Sequence, residues 1–232
     1  MPQQIIDDRL YYVGIFVTVS RVSINAYLLK GEKNILVDTG SFLTRDTVLS
    51  KLKSILPIHD IDYVILTSAS ADTVGALPLI LSENENLKII ATKECRDILF
   101  LNFGLSPKTY LIRDEEMLKI GDRVFRFFTA PFVSTLDAMF AYDESEKVAF
   151  TGDMFSSFPI TWKLFDDEIK KDLTKELTAA YISKFASGTR VADAVRKLRG
   201  LDIRFLAPKH GPVIRNNIQD YIEHFISLGI PI

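Results

Sequence analysis

The chain of 232 residues contains few of the side chains that often form functional sites: it has one cysteine, three histidines and one tryptophan. Cys95 has no second thiol to pair with, so an internal disulfide and a cysteine-rich metal cluster are both excluded. The formal net charge is only −2 at pH 7, and the basic residues are dispersed along the chain. This balance gives no electrostatic reason to expect nucleic acid or an acidic membrane surface as a partner.

Long apolar runs are also missing. No stretch approaches the roughly 18 apolar residues of a membrane-spanning helix, and residues 1–9 carry acids and amides instead of a basic leader before an apolar block. We therefore expect a cytoplasmic protein without a membrane partner. No internal repeat or Pro/Gly-rich linker divides the sequence, and 47% of it is apolar. We expect residues 1–232 to form a single domain with a large buried core.

Hydrophobic periodicity and turn residues predict an α/β protein. In the first half, strands are predicted at 10–17, 22–29, 34–38, 63–66 and 87–91, and helices at 48–56, 74–81 and 93–101. In the second half, strands are predicted at 110–112, 124–129, 138–142, 147–151 and 203–206, with amphipathic helices around Leu177, Val195 and Ile222. Two halves of strands followed by helices suit a four-layer αββα sandwich, in which sheets face each other and helices cover both outer faces.

Four loops that follow predicted strands carry polar side chains. The first, Leu66 to Gly75, has the pattern S-x-S-x-D-T-x-G, and the other three are centred on Ser134, Asp153 and His210. The first loop resembles the H-x-H/E-x-D-H metal loop of the metallo-β-lactamase superfamily, with hydroxyls at most ligand positions. The segments 129–143, 148–155 and 207–213 are similar to those that carry the later ligands in flavodiiron proteins, the oxygen and nitric oxide reductases of this superfamily. The resemblance spans essentially the whole chain and implies a metallo-β-lactamase-like sandwich.

The resemblance also implies which residues stand at the seven ligand positions of the two-iron centre: Ser68, Ser70, Asp72, Thr73, Ser134, Asp153 and His210. Neutral hydroxyls are poor ligands for divalent iron or zinc, so this is a degenerate metal site. One iron position keeps only Asp153, and we expect no metal there. The other keeps Asp72, Asp153 and His210, a triad that is formally able to hold a single iron, manganese or zinc ion.

Three interpretations of the triad stay open. In the favoured one no cofactor binds, and an imidazolium of His210 between Asp72 and Asp153 offsets the repulsion of the carboxylates, while nearby hydroxyls satisfy their oxygens. The chain is then a pseudoenzyme, a non-catalytic binding or sensory module for a protein or small-molecule ligand. In the alternative, one metal ion supports hydrolysis or oxygen handling. A third interpretation is metal-free chemistry with His210 as general base.

The resemblance implies further properties of the assembly. Flavodiiron proteins usually carry a flavodoxin-like domain after this one, which we do not expect in this chain, so a redox role would need an external electron donor. Their head-to-tail dimers imply a homodimer here. Exposed aromatic side chains within residues 154–162 would indicate an interface, whereas buried ones would belong to the core.

The remaining polar residues receive structural interpretations. We expect Asp38 to fix a turn beneath the four loops through hydrogen bonds to the backbone. His59 and His224 are expected to be surface or packing residues, and Cys95 a structural thiol. Residues 143–147 are expected to form a solvated hairpin turn.

Overall fold

The computed structural model describes residues 1–158, 162–168, 177–178 and 187–228. The strands within these ranges are β1 (Gln3–Ile6), β2 (Leu10–Tyr12), β3 (Ile15–Val17), β4 (Val22–Ile24), β5 (Tyr27–Leu29), β6 (Ile35–Val37), β7 (Tyr63–Ile65), β8 (Lys88–Ala91), β9 (Thr109–Leu111), β10 (Met117–Ile120), β11 (Arg123–Thr129), β12 (Met139–Asp143), β13 (Val148–Gly152) and β14 (Phe205–Pro208). The helices are α1 (Arg45–Lys53), α2 (Leu77–Glu83), α3 (Lys93–Phe103), α4 (Gly188–Arg196) and α5 (Ile218–Leu228). Short 3₁₀ turns occupy Ile58–Asp60 and Asp166–Glu168.

Two large sheets form the centre of the protein. The first has seven strands in the order β1-β2-β5-β6-β7-β8-β9, and the second has five in the order β10-β11-β12-β13-β14. Strands β6 to β9 pair in parallel, as do β13 and β14, whereas the other pairs are antiparallel. The ribbon of β3 and β4 is separate from both sheets.

Alternate residues of the strands belong to different hydrophobic clusters, which defines the layers. In β6, for example, Ile35 and Val37 pack between the sheets, and Leu36 packs under the helices of the first half. In β12, Ala141 faces the space between the sheets, and Phe140 packs under α4 and α5. Both sheets are thus covered on both faces, and the predicted four-layer αββα arrangement is confirmed.

Two long predicted strands are each divided in the structure. Residues 10–17 form β2 and β3, which belong to different sheets, and residues 22–29 form β4 and β5. The chain crosses itself closely here, since a Cβ on Gly14 would lie 2.3 Å from the Ile24 carbonyl oxygen. Glycine allows this approach, and the two strands then separate.

The sequence analysis missed two strands, β1 and β10, because neither shows the alternation of apolar and polar residues typical of a half-buried strand: β1 begins with two glutamines, and β10 has an exposed methionine at its start. The last strand begins at Phe205, two residues after the predicted start at Ile203. In the amphipathic segment predicted around Leu177, that residue is buried in the part of the core that packs under α4 and α5. Leu173 and Tyr181 lie outside the described residues. No helix in the described part of the chain is long and apolar enough to cross a bilayer.

The topology brings four loops to one edge of the sandwich. One follows β7 and carries residues 66–76, one connects β11 to β12 and carries Ser134, and the other two follow the neighbouring parallel strands β13 and β14. Because the carboxyl ends of parallel strands lie on the same side of a sheet, the last two loops present Asp153 and His210 next to each other. Loops at such edges are common positions for binding sites.

Candidate functional site

A lysine ammonium lies at the centre of the four loops. Lys209 Nζ is 2.8 Å from Asp153 Oδ2 and 3.2 Å from Asp72 Oδ1, and it donates a hydrogen bond of 3.3 Å to Ser70 Oγ. The side chain of Lys209 is 3% exposed. Lys209 is thus a cation within 3.2 Å of both carboxylates, in a role for which the sequence analysis considered only His210.

His210 pairs mainly with one of the carboxylates. Its Nε2 is 2.9 Å from Asp72 Oδ2 and 4.0 Å from Asp153 Oδ1. Its Nδ1 lies 2.6 Å from the carbonyl oxygen of Ser23, which can only accept a hydrogen bond. Both ring nitrogens thus lie within hydrogen-bond distance of an acceptor oxygen. The Phe158 ring lies beside the imidazole, with 5.5 Å between the ring centroids.

The electrostatics of this cluster favour charged groups. Burial raises the pKa of Asp72, but the hydrogen bond to His210 and the charge of Lys209 outweigh that effect and hold the pKa well below its usual range. Burial lowers the pKa of Lys209, but the charges of Asp153 and Asp72 outweigh it, and the net shift is upward. Near neutral pH, Asp72 is therefore a carboxylate and Lys209 an ammonium.

The hydroxyls at the replaced ligand positions have two different roles. Ser70 donates to Asp72 Oδ1 and Ser134 donates to Asp153 Oδ2, each at 2.5 Å. These two hydroxyls satisfy carboxylate oxygens, as the sequence analysis expected. Thr73 instead donates to the Ser68 carbonyl at 2.6 Å, and the hydroxyls of Ser68 and Ser70 lie 3.2 Å apart. Ser68 and Thr73 therefore hold the loop in shape without contacting a carboxylate directly.

Two buried aspartates support the first loop from below. Asp38 accepts hydrogen bonds from the backbone N–H and the hydroxyl of Thr67, which confirms its predicted role in fixing the turn. Asp137 accepts a hydrogen bond of 2.5 Å from the Ala69 N–H, a contact that the sequence analysis missed. Gly75 packs so closely on the neighbouring loop that a Cβ would lie 1.9 Å from the Ser41 carbonyl carbon. The glycine of the motif is thus required by packing.

The three residual ligand types suit a metal ion, but their surroundings do not. Asp72 and Asp153 already bond to Lys209 and to hydroxyls, and Asp72 also bonds to His210. An ammonium among these oxygens repels a divalent cation and uses the lone pairs that the cation would need. No set of three or more His, Cys, Asp or Glu side chains in the described ranges is arranged to hold a metal ion. The residues present therefore do not fit a metal while Lys209 stays in place.

The other histidines and the cysteine lie away from this cluster. His59 is exposed, with its Nε2 3.4 Å from Asp60 Oδ1. His224 Nε2 lies 2.9 Å from the Thr178 hydroxyl, and its ring packs edge-on against Phe225. Cys95 is buried in the part of the core that packs under the helices of the first half, and burial raises the pKa of its thiol. The structure thus confirms the surface, packing and structural interpretations of these residues.

The interpretation of residues 143–147 as a solvated turn is wrong at its first residue. The Asp143 side chain is fully buried, and its Oδ2 lies 2.6 Å from Nη1 of the equally buried Arg123. Arg123 also donates to the carbonyl of Lys30, which directly follows β5 of the first sheet, at 2.9 Å. The aspartate therefore anchors an ion pair that links the two sheets, which a local run of charges cannot reveal.

Residues 154–162 divide between the core and the surface. Met154 and Phe155 are ordinary core residues, buried in the part of the core that packs under α4 and α5. Phe158 is 36% exposed beside His210, whereas Trp162 is partly buried and packs on Tyr12 and Phe16. Only Phe158 among these four has the exposure that the interface interpretation requires.

The family described as ODP family beta lactamase matches residues 22–211, and the chain belongs to this family. It is 30% identical over 234 residues to the flavo-diiron protein FprA2 of Clostridium acetobutylicum, which covers 92% of this chain and 58% of that protein. It is 26% identical over 238 residues to a nitric oxide reductase of Moorella thermoacetica, covering 95% of this chain and 59% of that protein. The chain thus spans about three-fifths of the length of these relatives.

The fold agrees with solved structures of such proteins. Rubredoxin oxygen:oxidoreductase from Desulfovibrio gigas superposes with a TM-score of 0.89 at 22% identity, covering 98% of this chain and 61% of that one. The flavodiiron protein from Giardia intestinalis gives a TM-score of 0.86 at 21% identity, covering 99% and 59%. The predicted membership of the metallo-β-lactamase superfamily, with a relationship to flavodiiron proteins, is confirmed.

Proposed function

We propose that this chain is a non-catalytic binding or sensory domain, a pseudoenzyme that keeps the flavodiiron-type fold without two-iron reduction. The observation that supports this proposal is the position of Lys209 Nζ, within 3.2 Å of both Asp72 and Asp153. Ion pairing between the lysine and the carboxylates balances the site internally, so its charge needs no metal ion. Residues 1–232 act as one cytoplasmic domain in this proposal.

The chemistry of the ligand positions supports the same proposal. Two irons need several imidazole and carboxylate donors, and four of the seven positions offer only hydroxyls, at Ser68, Ser70, Thr73 and Ser134. Two of those hydroxyls already donate to the remaining carboxylates. Bound oxygen or nitric oxide would therefore lack the metal pair on which reduction depends.

Exposed apolar side chains next to the cluster suggest how such a domain would bind. Phe132 and Leu136 flank Ser134 in its loop and are 52% and 50% exposed, and Phe158 lies beside His210. Large apolar side chains of this kind are enriched at protein interfaces. We propose that this edge of the sandwich contacts a second copy of the chain, as a homodimer, or a protein or small-molecule ligand.

A second candidate is a mononuclear-metal hydrolase or an oxygen-handling oxidoreductase that uses Asp72, Asp153 and His210. The observation that favours it is the convergence of the three side chains, with His210 Nε2 2.9 Å and 4.0 Å from the two carboxylates. One iron, manganese or zinc ion held there would act as a Lewis acid. This candidate requires Lys209 to leave its position. The general-base interpretation has less support, because both ring nitrogens of His210 are already engaged.

Metal analysis combined with a reductase assay tests the proposal. The protein is purified anaerobically, its iron, manganese and zinc are measured, and its consumption of nitric oxide and oxygen is followed with a chemically reduced flavin as donor. The Clostridium acetobutylicum flavo-diiron protein serves as the positive control. We expect well below one metal ion per chain and no consumption above the donor background. Two tightly held irons with turnover would overturn the proposal, and one metal lost in His210→Ala would favour the second candidate.

A further inference from the structure

The backbone around Lys209 is held independently of its ammonium group. The Lys209 N–H donates to the Gly152 carbonyl at 2.7 Å, and its own carbonyl accepts from the Asn25 N–H at 2.9 Å. The next residue, His210, is fixed through its ring by Ser23 and through its N–H by the Ser156 hydroxyl. Replacing the Lys209 side chain should therefore leave the positions of the neighbouring backbone and of His210 unchanged.

Three side chains that can coordinate a metal ion surround the space that the ammonium fills. Asp153 and Asp72 contact Lys209 Nζ directly, and His210 Nε2 approaches both carboxylates. Without the ammonium, two negative charges would share a largely buried space, and this arrangement is costly unless a cation enters. One histidine and two carboxylates are a common donor set for iron, manganese or zinc.

We propose that Lys209 by itself keeps divalent cations out of this centre, and that Asp72, Asp153 and His210 form a latent mononuclear metal site that opens when the ammonium is removed. The ammonium of Lys209 takes the place of the metal ion and supplies the positive charge that the two carboxylates require. This inference deepens the proposed function and rests on it in one respect, since it requires the unaltered protein to bind no metal.

The test compares variants that differ in one charged side chain. Lys209→Met and Lys209→Gln remove the ammonium and keep much of the side-chain volume. Lys197→Met is the matched control, because Lys197 also pairs with an aspartate and a carbonyl, Asp114 and Thr129, away from the centre. Each protein is incubated with excess Mn²⁺ or Zn²⁺ and desalted, and its metal content and melting temperature are measured. Lys209→Met/His210→Asn shows whether any metal gained lies in the proposed site.

We expect both Lys209 variants to retain roughly one metal ion per chain and to melt at a higher temperature with the metal than without it. The unaltered protein and Lys197→Met should retain less than about a tenth of that amount, and the double variant should lose the gain. A Lys209 variant that folds and retains no metal would overturn the inference and leave the proposed function standing. Equal metal in the unaltered protein would overturn both. Failure of both variants to fold even with excess metal would also overturn the inference, because a metal able to replace the ammonium would restore the charge balance.

Discussion

The carboxylate of Asp38 holds Thr67 at two points, with 2.9 Å between Oδ1 and the Thr67 backbone nitrogen and 2.7 Å between Oδ2 and the Thr67 hydroxyl. Both residues are buried directly beneath the loop that carries Ser68 and Asp72. Burial raises the pKa of Asp38 to about 7, although the hydrogen bonds from Thr67 and the charge of Lys209 work against the shift. The folded protein therefore binds a proton at Asp38 more tightly than the unfolded chain does.

This shift predicts a pH dependence of stability that Asp38→Asn should remove. Because the folded-state pKa is raised, the contribution of Asp38 is fully present below its unfolded value of 3.8 and is lost as the pH rises towards about 7. Relative to Asp38→Asn, the unaltered protein should lose roughly 1–4 kcal/mol of unfolding free energy across that window. Urea unfolding of both proteins at several pH values measures the difference. A constant difference from pH 4 to pH 8 would show that Asp38 does not titrate there.

Without added metal, Lys209→Met should destabilise the protein by about 3–5 kcal/mol, because it leaves two carboxylates largely buried without their cation. Lys197→Met, at a more exposed ion pair, should cost roughly 1 kcal/mol or less. Chemical denaturation in a chelating buffer gives both values. Lys209→Met/Asp153→Asn removes one negative charge along with the positive one, and it should recover much of the loss. Equal costs at positions 209 and 197 would contradict an important electrostatic role for Lys209.

The buried pair of Arg123 and Asp143 should show strong coupling in a double-mutant cycle. Arg123→Met leaves the Asp143 carboxylate in the core without its cation, so we expect a cost of about 3–5 kcal/mol. Arg123→Met/Asp143→Leu removes both charges and should cost clearly less than the sum of the single changes. Thermal and urea unfolding of the four proteins measure the coupling. Additive losses would mean that the two side chains stabilise the fold separately.

Gly75→Ala should prevent the first loop from forming its observed structure. The added Cβ would lie 1.9 Å from a backbone carbon of Ser41, and the backbone there cannot move aside as a flexible side chain could. We expect a loss of roughly 3 kcal/mol or more, or no folded protein. Gly104→Ala is the control, because nothing lies within 4 Å of its Cβ and only the left-handed backbone angle opposes it. Its cost should be near 1 kcal/mol, as judged by melting temperature and circular dichroism.

The sequence was sufficient to predict the fold, and the resemblance to flavodiiron proteins implied that the four loops meet. Hydrophobic periodicity located most of the strands, and the order of the segments around Asp72, Ser134, Asp153 and His210 showed which loops belong together. Patterns of this kind are local or follow from chain order, and the topology then determines which loops become neighbours. Gly14 shows where periodicity fails, because a close crossing of two chain segments divided a continuous apolar run.

The cation of the site was harder to predict from the sequence. Lys209 lies between Pro208 and His210, and nothing local in the sequence shows that its side chain reaches two distant carboxylates. The available signal was a basic residue beside a surviving ligand position in a site that had lost other ligands. Asp143 was missed for a similar reason, since its partner Arg123 lies 20 residues earlier in the chain.

A positive charge that belongs to the polypeptide cannot be chelated, oxidised or exchanged for the wrong element. Lys209 is part of the polypeptide from its synthesis. The loops around it can therefore assemble as soon as the chain folds, whatever the supply of iron, manganese or zinc. Under the proposed function, a cell that is starved of these elements or flooded with them would contain the same centre, an independence from metal supply that a metalloenzyme lacks.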